Sequence, residues 1–77
     1  MNLKLKKATK HERKNLLKLA CSTGAYYPET NTITVDTTQS RSTIYTTIIH
    51  EMGHALGMNE KEARQFTNKA LDIALKQ

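Results

Sequence analysis

RSTIYTTIIHEMGHALG, running from Arg41 to Gly57, has the apolar spacing of an α-helix. At ~100° per residue, Ile44, Tyr45, Ile48, Ile49, Met52, Ala55 and Leu56 fall on one broad arc. Thr43, Thr46, Thr47, His50 and His54 fall on the other side, with Glu51 at the border. A helix packed on its apolar arc would hold both histidines and the glutamate over a cleft. Gly57 suits the left-handed residue that closes a helix.

Within that helix, His50-Glu51-Met52-Gly53-His54 reads H-E-x-x-H. Residues four apart share a helical face, so His50 and His54 can offer two imidazoles to one metal ion. Glu51 lies roughly 100° further round, near enough to hold a water on that ion as a general base. The bland reading, two surface histidines on an ordinary amphipathic helix, is the weaker one when set against the motif.

Outward from this helix, the order of elements follows from local signals. Leu3 and Leu5 alternate with lysines, which fits a short edge strand or a frayed lead-in. Thr9 and Glu12 make a capping box for a helix from about Lys10 to Cys21, with Leu16, Leu19 and Ala20 inward and Leu17 at the margin. His11 faces away from Leu16 and is expected to be exposed, not a ligand. Ser22-Thr23-Gly24 should end that helix, and 25–36 then reads as strand, turn, strand. Ile33 and Val35 alternate with threonines, as in a sheet with one buried face.

A last helix spans Asn59 to Lys76, with Asn59 and Glu62 as a capping pair. Its inward stripe is Ala63, Phe66, Thr67, Ala70, Leu71, Ile73 and Ala74. Glu60 falls within this stripe and Glu62 at its margin, so either is open as a third metal ligand. A carboxylate placed inward needs a partner, and a metal ion would be one.

The 77 residues make a single domain, 1–77, of α+β class: about three helices and a small antiparallel sheet. So thin a core gains from a structural metal. With one cysteine, Cys21, no internal disulfide is possible, and the composition suits a reducing, cytoplasmic setting. No apolar run is long enough to span a membrane, and the N-terminus lacks a signal-peptide apolar core. Net charge is +5, concentrated early in Lys4, Lys6, Lys7, Lys10, Arg13, Lys14 and Lys18. Such a run can contact nucleic acid, but no interleaved aromatics accompany it, and a solvated helix face explains it better.

The runs Gly24-Ala25-Tyr26-Tyr27-Pro28, Asn31 to Val35, Thr47 to Gly57 and Glu60 to Phe66 together resemble the ImmA/IrrE-type zincins, including small phage-encoded members. The likeness covers about two-thirds of the chain, from Gly24 to Leu75. It implies a strand leading to the metal helix and a following helix with a Glu-x-x-Ala-x-x-Phe pattern that supplies the third ligand. Glu60, Ala63 and Phe66 stand at those positions. Glu60 also occupies the place of the third histidine in the metzincin signature, but no Met-turn segment follows.

The expectation is therefore one Zn²⁺ per chain on His50, His54 and Glu60, with Glu51 as general base of a metallopeptidase acting on a peptide or protein. Tyr26 or Tyr27 is a candidate to stabilise the oxyanion, and the strand Thr32 to Val35 is a candidate cleft rim with a free edge for substrate. Two rivals bind zinc without turnover: a metal-stapled module, and a phage or mobile-element regulator that binds a repressor or host protein.

Overall fold

The computed structural model describes residues 2–18 and 23–76, with only the backbone of Leu17 and Lys18. In chain order the elements are β1 (Lys4–Lys7), α1 (Lys10–Lys18), β2 (Gly24–Tyr27), β3 (Thr32–Val35), α2 (Arg41–Ala55) and α3 (Glu60–Leu75). This is an α+β fold of three helices and a small sheet, as expected from the sequence. Leu19, Ala20 and Cys21, assigned from the sequence to the end of the first helix, lie outside the described residues.

The sheet has the order β1-β3-β2. β2 and β3 form the expected antiparallel hairpin, with Gly24 opposite Val35 and Tyr27 opposite Thr32. Its turn closes through the Asn31 amide, which donates to the Pro28 carbonyl at 3.3 Å, and Asn31 takes φ 50, a conformation asparagine tolerates. β1 adds to the other side of β3 in parallel, Leu5 opposite Ile33, so the sheet is mixed and not wholly antiparallel. A parallel neighbour needs a crossover connection, and the segment containing α1 provides it. β1 is exposed throughout, and its three lysines suit an edge.

β3 is thus the central strand, paired on both sides, with Ile33, Thr34 and Val35 all buried. The expected free edge on Thr32 to Val35 does not exist. The open edge on the α2 side of the sheet belongs to β2.

Helix starts follow the sequence signals. Around α1, the Thr9 amide donates to Glu12 at 2.9 Å and the Glu12 amide to the Thr9 hydroxyl at 3.2 Å. Around α3, the Asn59 amide donates to Glu62 at 3.0 Å and the Glu62 amide to the Asn59 side chain at 2.8 Å. Ser40 caps α2, and at its far end Gly57 has φ +92 while the Met58 amide donates to the Gly53 carbonyl at 3.0 Å.

The packing of α2 departs from its apolar arc. Its fully buried residues are Thr47 and Gly53, whereas Tyr45 and Leu56 are 59% and 69% exposed. The reason is close approach on two sides. Thr47 lies on Gly24, where an added Cβ would fall 2.5 Å from the Thr47 methyl and 2.8 Å from the Thr34 carbonyl oxygen. Gly53 lies on Ala63 of α3. Gly24, read from the sequence as a helix terminator, therefore opens β2 and leaves room for a helix above it. On α3, Ala63 and Thr67 are buried, but Ile73 and Ala74, placed in the inward stripe, are exposed.

Candidate metal centre

His50 sits midway between the two buried positions of α2, about 60° of helical turn from each of Thr47 and Gly53. It therefore points into the angle between the sheet and α3, and His54 follows one turn later on the same face. That angle is an open cleft of about 380 Å³. Thr23, Thr46, Thr47, His50 and Glu51 line one side, and Glu60, Arg64, Thr67 and Asn68 of α3 line the other.

Three ligand groups converge in it. The Nε2 atoms of His50 and His54 are 3.2 Å apart. Glu60 places one carboxylate oxygen 2.9 Å from His50 Nε2 and the other 3.1 Å from His54 Nε2. Ligands at ~2.0–2.1 Å from a tetrahedral metal ion are about 3.3 Å from one another. The separations among the three groups are therefore close to those one ion requires. His54 Nδ1 is 3.0 Å from the Met58 carbonyl oxygen, which can only accept, so Nδ1 donates there and Nε2 is the ring nitrogen turned to the cluster. Two ring nitrogens and a carboxylate facing one another at this spacing can share a cation.

Glu51 stands beside this cluster. One of its carboxylate oxygens lies within 4.8 Å of a ring nitrogen of each histidine. The backbone amide of Tyr26 in β2 is among the groups that act on it. Burial raises the Glu51 pKa above the ordinary glutamate value, against the opposing pull of His54, His50 and that amide. For Glu60, burial also acts upward, but His50, His54 and Arg64 outweigh it and the pKa is lowered. Glu62, the alternative third ligand, is occupied in its capping box.

The structure thus brings together His50, Glu51, His54 and Glu60. It does not bring in the tyrosines: the Tyr26 hydroxyl donates to Asn31 at 2.8 Å, and Tyr27 lines the other sheet face beside Lys4 and Lys6. Tyr26 contributes through its backbone instead. The sequence reading missed Arg64 and Asn68, although their spacing of four and eight residues from Glu60 is the signal that puts them on its face. His11 is exposed on α1 and is not among the residues lining the cleft.

No protein family, curated protein or solved structure matches this chain at a significant level. What the centre can do is therefore argued from its own side chains.

Proposed function

We propose that this chain is a zinc-dependent metallopeptidase of the H-E-x-x-H type, related to the ImmA/IrrE-type zincins, with one Zn²⁺ held by His50, His54 and Glu60. The observation that carries this reading is the cluster of two ring nitrogens and a carboxylate at 2.9–3.2 Å, with Glu51 at its side. Two nitrogen ligands and one oxygen ligand suit zinc and leave a position open. A zinc ion held there supplies Lewis acidity, acidifying a water and polarising a carbonyl.

Glu51 takes a proton from the attacking water and passes it to the departing amine. Burial raises its pKa above the ordinary glutamate value, which favours its holding a proton between the two transfers. The cleft is open and runs between α2 and α3, so a short extended peptide is the substrate that fits. A reducing, cytoplasmic setting accords with a single cysteine, and no helix among the described residues is long and apolar enough to cross a membrane.

The decisive experiment combines metal analysis with a peptide-library cleavage screen on wild type and Glu51→Gln. Expected are one zinc per chain in both proteins and cleavage by the wild type alone. Zinc without cleavage in either would favour the non-catalytic alternative, a metal-stapled regulator that binds its partner without turnover.

A further inference from the structure

We propose that Arg64 and Asn68 form a carboxylate-binding subsite beside the metal centre, so that the cleft prefers peptides carrying an anionic group. The proposal deepens the peptidase reading, and binding tests it apart from turnover.

Glu60, Arg64 and Asn68 follow at intervals of four on α3 and line the same cleft wall. Arg64 Nε is 3.5 Å from Glu60 Oε1, and Glu60 is the one acidic group within ion-pair distance of it among the described residues. The same carboxylate faces both histidines at 2.9 and 3.1 Å. Once Glu60 is committed to a cation, the guanidinium has no full counter-charge.

The threonine hydroxyls of α2 and α3 that line the cleft are already used as donors. The Thr46 hydroxyl donates to the Ser42 carbonyl at 2.7 Å and the Thr67 hydroxyl to the Ala63 carbonyl at 2.7 Å. The Thr47 hydroxyl donates to Thr23 at 2.9 Å. On the α3 wall this leaves the guanidinium and the Asn68 amide as donors for a ligand. A guanidinium presents paired N–H groups that match a carboxylate in bidentate fashion. Of the two acidic groups in the cleft, Glu60 is turned to the histidines and Glu51 lies beside the same two rings. The overall charge of +5 adds a field that draws anions.

A substrate carboxylate can be a side chain or a free C-terminus, and three peptides separate the sources. N-acetyl tetra-alanine amide is neutral, the same peptide with a free C-terminus carries a terminal carboxylate, and acetyl-Ala-Glu-Ala-Ala amide carries a side-chain one. Each is titrated calorimetrically into zinc-loaded Glu51→Gln protein, which stops turnover, in otherwise wild-type, Arg64→Ala, Arg64→Lys and Asn68→Ala backgrounds. At least one anionic peptide should bind roughly tenfold tighter than the neutral one, the worth of a charge-assisted hydrogen bond. Arg64→Ala should erase that preference with zinc content unchanged, Arg64→Lys should keep part of it, and Asn68→Ala should reduce it. A preference that survives Arg64→Ala, equal binding of all three peptides, or binding of none overturns the subsite. If Arg64-dependent binding is found but the wild type cleaves nothing, the peptidase reading fails and the subsite stands.

Discussion

Gly53 of α2 and Ala63 of α3 meet so closely that a methyl group on Gly53 would lie 3.2 Å from the Ala63 Cβ and 3.3 Å from its Cα. This crossing of two small residues sets the distance between the helices. His50 and His54 flank Gly53 in sequence, and Glu60 precedes Ala63 by three residues. The close approach at Gly53 therefore brings the glutamate to the imidazoles. The glycine inside H-E-x-x-H is part of the ligand geometry, although it carries no ligand.

Gly53→Ala tests that link. Alanine gains up to about 1 kcal/mol in helix propensity, while the crowding against Ala63 and the Met58 sulfur requires a shift of α3. Thermal stability without metal should change little. Zinc affinity should fall roughly tenfold, because ligand geometry tolerates only about half an ångström of displacement. Competition with a chromogenic chelator measures it, and an unchanged affinity would mean the crossing has slack.

Glu60→Ala and Glu62→Ala should part cleanly. The first removes the carboxylate 2.9 and 3.1 Å from the ring nitrogens and should lower zinc affinity by orders of magnitude. The second removes half of a capping box and should cost about 1 kcal/mol of stability with zinc binding nearly intact. Zinc titration and thermal melting of both variants decide the matter. Metal lost from Glu62→Ala but kept by Glu60→Ala would reverse the assignment.

The site was more legible in the sequence than the packing around it. Spacing alone places His50 and His54 together, and both capping boxes were readable because they rest on contacts three residues apart. The long-range relationships were not. Nothing local says that β1 pairs with β3, which removes the free edge expected at Thr32 to Val35. Nor does a helical wheel reveal that α2 buries Thr47 and Gly53 and leaves Tyr45 and Leu56 exposed. That choice depends on Gly24 and Ala63, which are distant in sequence and offer room where a larger side chain would block contact.

Thr34→Pro distinguishes a central from an edge β3. Thr34 is buried at 2% exposure and pairs with Ala25 on one side and Lys6 on the other. Proline there removes a ladder donor and is tolerated essentially only at edges. Loss of the folded state, read by far-UV circular dichroism with and without zinc, is expected. A folded, zinc-binding variant would be incompatible with the strand order β1-β3-β2.

Asp36 gives the fold an acid-sensitive point away from the metal centre. Following directly on β3, it is buried, with 6% of its surface exposed. Its Oδ1 accepts from the Thr38 hydroxyl at 2.6 Å and the Thr38 amide at 3.0 Å, and its Oδ2 accepts from Gln39 at 3.1 Å. The Thr38 hydroxyl is the largest influence on its carboxyl and, with the Thr38 amide, Gln39 and Arg13, outweighs burial, so the folded pKa lies below the ordinary aspartate value. A depressed folded pKa means the unfolded chain binds the proton more readily. Stability from Asp36 is then fully present above the unfolded value of about 3.9 and is lost as pH falls through the lower folded value. Asp36→Asn keeps the shape but not the charge, and should cost about 1–2 kcal/mol at pH 7, the scale of hydrogen bonds to a charged acceptor. Glu12, also lowered through its bond from the Thr9 amide, is common to both proteins and cancels in the comparison. Urea denaturation of zinc-free wild type and variant should therefore show a gap that is constant from pH 7 to about 5 and narrows below pH 4. A gap of the same size at pH 3 would mean that the Asp36 charge contributes nothing and that the turn is held by shape alone.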